Sequence, residues 1–285
     1  MKRRRFLQIT AAAAFAKPAF AKPVRAAAWT GRAFGADLAI TLEGNLAADI
    51  LALIRAEIAA IDATFSLYDA TSELSRLNAT GRIAPSGRMA EVLALADQFH
   101  RATGGRFDPT VQALWEGERA DLVGWNRVQI GPVVRLGAGQ MLTLNGIVQG
   151  YAADRVSAIL QAAGYGEMLV DMGEFRATGR DYRLGIEDPI TGFLGARSLP
   201  AGRALATSSP MAALSPHGMA HIVGPKGEAL RWSTVVIEAL NAVTADAAST
   251  AACLMMREEV EAMARAMDLR GALVDLNGDL QEIRV

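Results

Sequence analysis

The chain has 285 residues, 51% of them apolar and 21% charged, with a net charge of −1. That near-neutral balance, with no basic patch beyond the first residues, excludes a nucleic-acid surface built on charge, while the apolar share is ample for a large core. A single cysteine, Cys253, excludes an internal disulfide; set among Ala251, Ala252, Leu254 and Met255, it reads as a buried structural thiol.

Residues 1–21 read as a twin-arginine secretory signal. Lys2 through Arg5 form a basic start, Arg3-Arg4-x-Phe6-Leu7 carries the arginine pair, and an Ala-rich apolar run follows. Ala19-Phe20-Ala21 is the expected cleavage site, with Ala26-Ala27-Ala28 as a second option. The apolar run falls short of the ~20 residues of a spanning helix, and the site lacks a lipid-anchor cysteine. The expected location is therefore the periplasm. Residues 22–285 are expected to form one large domain or two intimately packed lobes.

Along the mature chain, Asp37 to Leu42 alternates and predicts a strand. Leu46 to Phe65 carries Ile50, Leu51, Leu53, Ile54, Ile58 and Ile61 at helical spacing and predicts a helix. Ser66 to Gly87 is polar and turn-rich. Met89 to Ala102 predicts a second helix, stopped by Gly104-Gly105. Val128 to Ile130, Val133 to Leu136 and Met141 to Leu144 read as short strands of a meander. Gly150 to Ala163 predicts a third helix. Strands are expected at Met168–Asp171, Tyr182–Ile186, Arg203–Ala206, His221–Val223 and Trp232–Ile237. Helices at Thr244–Met256 and Glu258–Met267 and a strand at Ala272–Asp275 close the chain. Runs of strands between a few long helices give an α+β class, antiparallel sheets packed with helices, rather than a regular βαβ series.

Thr244 to Thr250 carries the strongest chemical signal. Asp246 and Thr250, four apart on a helix, share one face. A carboxylate beside a hydroxyl suits a hard cation such as Mg2+, and the alanines around them let a bulky ligand come close. The same residues also fit a plainer reading, with Thr244 as helix cap and Asp246 as a first-turn charge. Five further segments are dense in small, polar and turn residues: Phe65-Ser66-Leu67-Tyr68 leading into Ser72-Glu73-Leu74-Ser75-Arg76-Leu77-Asn78; Thr103-Gly104-Gly105-Arg106-Phe107-Asp108-Pro109-Thr110; Leu144-Asn145-Gly146-Ile147-Val148-Gln149-Gly150-Tyr151; Ala206-Thr207-Ser208-Ser209; and His217 through His221-Ile222-Val223-Gly224-Pro225.

In order and spacing these segments resemble the FAD:protein FMN transferase family, the ApbE family, over nearly the whole mature chain. The resemblance implies an ApbE-type (T-fold-like) α+β fold and a transferase that cleaves FAD, attaches FMN through a phosphoester to a threonine of a target flavoprotein, and releases AMP. It implies Mg2+ held by Asp246, Thr250 and the backbone carbonyl of Gly146, and FAD as substrate. Tyr68 matches a flavin-site tyrosine. Arg106, Phe107 and Asp108 fall where the family grips the cofactor, and Thr143, Gln149, Thr207, Ser208 and Ile222 are further cofactor-site positions. Asp108 fits a turn or helix cap equally well, and Tyr68 an ordinary half-buried aromatic. His221 is the candidate general base, with a structural role as the alternative. His217 is a second candidate, and His100 reads as structural.

The chain departs from the family pattern in places. Thr143 and Gln149 stand where the family has aspartate and lysine, Ser209 and Gly224 replace a glycine and an aspartate, and Ala220-His221 replaces a histidine pair. The Asn-Gly-Ile-x-Gln-Gly turn resembles accessory proteins of nitrous oxide respiration, whose acceptor is a membrane-bound flavoprotein facing the periplasm. Two other readings use the same segments: an FAD pyrophosphatase, with water in place of threonine, and a periplasmic flavin carrier without turnover.

Overall fold

A computed structural model describes residues 28–214 and 217–283. The twin-arginine segment and its first cleavage site lie outside the described residues.

The elements in order are β1 (Trp29–Ala33), β2 (Ala36–Leu42), α1 (Ala48–Phe65), α2 (Glu73–Thr80), β3 (Arg82–Ile83), α3 (Gly87–Ala102), α4 (Gln112–Trp115), β4 (Val134–Arg135), α5 (Asn145–Ala162), β5 (Met168–Asp171), β6 (Phe175–Thr178), β7 (Tyr182–Asp188), β8 (Gly192–Leu199), β9 (Ala204–Ser208), β10 (Thr234–Ala239), α6 (Ala242–Ala252), α7 (Arg257–Met267), β11 (Arg270–Val274) and β12 (Leu280–Glu282). One antiparallel sheet takes the order β1-β2-β5-β6-β9-β10-β11-β12, and β3–β4 and β7–β8 form two-stranded ribbons. The class is α+β, as the sequence predicts.

The layering follows from β10, Thr234-Val-Val-Ile-Glu-Ala239, whose every residue is buried. Val235 and Ile237 face the main core with the helices, and Val236 faces a second core built with Leu184, Ile186 and Leu199 of the β7–β8 hairpin. A strand covered on both faces reads as a continuous apolar run. Helices α5 and α6 cross in close contact. A Cβ added at Gly150 would lie 2.3 Å from the Ala242 carbonyl oxygen, so this crossing tolerates only glycine.

Several sequence expectations change. The turn-rich Ser66–Gly87 stretch contains α2: Ser72 caps it by accepting from the Ser75 amide, and Gly81 ends it at φ +69°. Eight residues with only Leu74, Leu77 and Ala79 apolar are too few to register as a periodic pattern. Met141–Leu144 and His221–Val223 form no strand, and the short Val128–Ile130 segment contributes only a bridge from Gln129 to Arg135. The strands β1, β6, β8 and β12 carry too little alternation to be read from sequence. Helix α5 starts at Asn145 rather than Gly150, across a kink where Gly146 sits at φ −81°, ψ 18°. Helix α6 starts at Ala242, and its cap is Asn241, which accepts from the Thr244 amide at 2.9 Å. Thr244 is therefore inside the helix, which removes the capping role from it.

Candidate functional site

The α5–α6 crossing assembles the strongest chemistry. Asp246 is 3% exposed, and its Oδ2 accepts from the Gly150 amide at 2.9 Å. Its Oδ1 has no hydrogen bond among the described residues. Thr250 stands one turn further on: a Cβ added at Gly146 would lie 2.8 Å from Thr250 Oγ1, so the Gly146 backbone and that hydroxyl are neighbours. The side chain missing at Gly146 is thus the one that would close the space between the kink of α5 and α6.

A second buried carboxylate, absent from the sequence expectations, faces Asp246. Glu174, between β5 and β6, is 5% exposed and accepts from the Thr207 amide at 3.1 Å. Desolvation, followed by the charges of Asp246 and Asp171, raises its pKa well above the ordinary value. Desolvation also raises Asp246, and Asp154 adds to the rise against the opposing Gly150 hydrogen bond. Asp154 in turn accepts from the Ala242 and Val243 amides at 2.9 Å each, fixing the start of α6. The sequence signal for Glu174 was available as Asp171-Met-Gly-Glu174, two acids bracketing a glycine turn at a strand end.

Among the described residues no group of three His, Cys, Asp or Glu side chains gathers as a metal centre. The donor set at the crossing is of another kind: one carboxylate, one hydroxyl and backbone. A hard cation that retains several waters needs only one or two carboxylates. An under-bonded buried carboxylate facing a second one is an environment that favours positive charge. On those grounds Asp246, Thr250 and Gly146 fit Mg2+.

The remaining expected positions fall into two groups. The first surrounds the crossing. Gln149 packs on Gly173, where an added Cβ would meet its amide at 2.6 Å, and donates to the Phe34 carbonyl at 3.3 Å. Phe34 holds φ +54° in the β1–β2 turn, an uncommon conformation for a side-chain-bearing residue. Thr143 Oγ1 accepts from the Asn145 amide at 3.3 Å, at the start of α5. Thr207 meets Glu174 through its amide. Ser208 is buried and pairs with Ser249 of α6, hydroxyl to hydroxyl, at 2.8 Å.

The second group reaches other parts of the molecule. Phe107 is a core side chain, 4% exposed and edge-on to Phe99. Asp108 is 8% exposed, with Oδ1 accepting from the Thr110 amide and hydroxyl at 2.8 and 2.5 Å and Oδ2 from the Trp125 amide at 3.3 Å. It caps the 3-10 turn Pro109–Val111. Arg106 pairs with Glu259 of α7 at 2.8 Å and with Glu228 at 3.8 Å. Ile222 is buried in the main core. His100 Nδ1 meets the Phe107 carbonyl at 3.0 Å, the structural place expected of it.

Tyr68 is 74% exposed. The turn that presents it is self-capping: Ser66 Oγ accepts from the Tyr68 and Asp69 amides, and the Ser72 and Ser75 hydroxyls both donate to the Ser66 carbonyl. Asn78, at the end of the same segment, clamps Leu142 with hydrogen bonds of 2.9 and 2.8 Å in both directions and so positions the approach to Gly146. His221 follows the loop after β9. Its Nδ1 lies 2.9 Å from the Pro210 carbonyl, which can only accept, so Nδ1 carries the proton and the basic lone pair of the neutral ring is on Nε2. Desolvation lowers its pKa below the ordinary 6.5, opposed by the Pro210 and Ala213 carbonyls. His217 lies against Gly117, 3.0 Å from the position of an added Cβ.

The family model described as ApbE family matches residues 34–274. Among solved structures the chain is similar to the flavin transferase ApbE from Vibrio cholerae, 22% identical over 89% of this chain and 95% of that one, TM-score 0.77. It is similar to the apo flavinyl transferase ApbE of Pseudomonas stutzeri, 22% identical over 90% and 93%, TM-score 0.77. The ApbE protein of Thermotoga maritima is 24% identical over 89% and 96%, with a TM-score of 0.78. No curated protein matches the chain. At these identities the structural likeness shows a shared fold.

Proposed function

The chain belongs to the ApbE family, and from that premise we propose that it is an Mg2+-dependent FMN transferase acting on FAD. The threonine Oγ of a partner flavoprotein attacks the FMN-side phosphorus, the bond from that phosphorus to the bridging oxygen breaks, and AMP leaves carrying the bridging oxygen. The threonine proton passes to the lone pair of His221 Nε2, the ring nitrogen opposite the Nδ1 that the Pro210 carbonyl engages. Asp246, Thr250 and the Gly146 carbonyl would hold the metal. When bound, the cation supplies charge neutralisation on the diphosphate. Tyr68 offers its exposed ring as a face for the isoalloxazine.

The observation that carries this reading is the α5–α6 crossing, where a one-bond buried carboxylate and a hydroxyl meet a backbone kept bare by Gly146. We place the protein in the periplasm, exported by the twin-arginine route. We assign it to the subgroup that loads FMN onto a membrane-bound flavoprotein of nitrous oxide respiration, an assignment supported by its Asn145-Gly146-Ile147-x-Gln149-Gly150 turn.

Purified protein mixed with FAD, Mg2+ and a periplasmic flavoprotein domain bearing an acceptor threonine should raise the acceptor's mass by one esterified FMN, and EDTA should prevent it. FAD converted to free FMN and AMP without an adduct would make the enzyme a pyrophosphatase. FAD bound unchanged would make it a carrier. His221→Ala should slow transfer more than it weakens FAD binding; equal losses would make His221 a binding residue.

A further inference from the structure

The helix whose capping turn presents Tyr68 ends in a groove of a different character. A cavity of about 580 Å³ lies beside the β3–β4 ribbon, lined by Arg76, Arg82 and Arg135 with Thr80, Ile83, Ala84 and Val133. It contains no acidic residue. Among the described residues none of the three guanidinium groups makes a hydrogen bond or ion pair.

Two of the arginines are placed at a cost. Arg82 and Arg135 are direct cross-strand partners in β3–β4. Like charges directly opposite each other on an antiparallel pair destabilise it. Arg76, on α2, brings a third positive charge to the same cavity. The C-terminal end of α2 offers only about half a negative charge, too little to balance three. The stems can cover Ile83 and Val133, but that packing does not require three charges in one place.

The cluster also runs against the charge of its surroundings. Residues 1–27 hold seven of the 29 Lys and Arg and none of the 30 Asp and Glu, which leaves the rest of the chain with a net charge of −8. A body of that sign is repelled by an anionic membrane surface, whereas a short acidic segment can reach a local basic groove. Guanidinium forks match carboxylates two oxygens at a time. Arg76 and Thr80 are the fourth and eighth residues of α2, so the groove runs from about 6 to about 12 Å along the helix from the turn bearing Tyr68.

We infer that the Arg76–Arg82–Arg135 groove is a docking site for an acidic segment of the protein substrate, which it holds while the acceptor threonine reaches the flavin site. This rests on the transferase reading above.

The test uses fluorescein-labelled hexaglutamate as probe, read by anisotropy against the purified protein. Wild type should bind it in a salt-dependent manner. The double variant Arg82→Gln/Arg135→Gln should bind about tenfold more weakly and melt no lower than wild type, because the variant loses a repulsion rather than a bond. Equal binding by both proteins, or none by wild type, would overturn the inference. So would binding only to phosphatidylglycerol-containing vesicles, which would make the groove a membrane contact. Transfer separates this outcome from the function itself. In the variant, KM for an acidic acceptor protein should rise while the rate with a short threonine peptide stays unchanged. If wild type binds hexaglutamate through the groove but makes no adduct, the transferase reading fails and the docking site stands. If adducts form with unchanged KM in the variant, the docking site fails and the transferase reading stands.

Discussion

Two buried aspartates, Asp188 and Asp246, are almost equally hidden, at 2% and 3% exposure, yet their surroundings differ sharply. Asp188, at the end of β7, accepts from the Ile190 and Thr191 amides and from the hydroxyls of Thr191, Ser233 and Thr234, at 2.6–3.0 Å. Burial pushes its carboxyl up, but the Ser233, Thr191, Thr234 and Ile190 bonds together hold it below the ordinary range. Asp246 accepts a single amide and faces other carboxylates. A carboxylate saturated with donors is a structural tie, whereas one left short of donors in the interior is waiting for positive charge. Burial alone does not distinguish them; the count of donors does.

The largest expected effect tests the Asp246 side of that contrast. Asp246→Ala should lower Mg2+-dependent FMN transfer about a thousandfold, the scale of several kcal/mol that a metal contributes to phosphoryl chemistry. Its thermal midpoint should stay close to wild type. A large drop in stability with retained transfer would reverse the roles of the two aspartates.

Asp188→Ala should do the opposite. Leaving the Ile190 and Thr191 amides and the Ser233 and Thr234 hydroxyls without their acceptor should cost about 3 kcal/mol in urea unfolding. Transfer per folded molecule should be unchanged.

Gly146→Ala sharpens the comparison from the backbone side. The added methyl meets Oγ1, Cγ2 and Cβ of the β-branched Thr250, a crowding that χ1 rotation alone does not clear, so stability should fall by about 1–3 kcal/mol. Mg2+ affinity, measured by calorimetry, should fall about tenfold because the hydroxyl turns from its place beside the Gly146 backbone.

Asp108→Asn asks whether a cofactor-motif acid belongs with Asp188. It should cost about 1 kcal/mol by weakening the cap on Thr110 and leave the FAD dissociation constant unchanged. A large loss of FAD affinity at unchanged stability would return Asp108 to the cofactor.

The smallest effect is a pH dependence. Because the folded protein holds the Asp188 carboxyl below its ordinary value, that contribution is fully present above the unfolded pKa of about 3.9 and disappears as pH falls through the lower folded value. The stability gap between wild type and Asp188→Ala should therefore be constant from neutral pH down to about 5 and narrow below about 4.

Much of the site was legible because helical spacing is a local property. Asp246 and Thr250 share a face by periodicity alone, and the long amphipathic helices α1 and α3 were recovered nearly to their ends. The short helix α2 was not, since its stability comes from Ser72, Gly81 and contacts with distant segments. The resemblance segments include residues that the structure uses as scaffolding. Tyr68 is presented outward, while the serines beside it tie the turn and Asn78 reaches across to Leu142.

The sequence by itself determined the α+β class, the absence of a disulfide, the placing of Asp246 and Thr250 on one face of α6 and the order of motifs that places the chain in its family. Only the tertiary structure decided which acids stand together. Glu174 and Asp246 are 72 positions apart in sequence, and their repulsion exists only because β6, β9 and α6 converge. It also decided that Asn241 caps α6 and that Gly146 and Gly150 are bare because another helix passes against them. Periodicity records what a residue's own element needs; donor counts, close approaches and facing charges belong to pairs of elements, and no single segment encodes them.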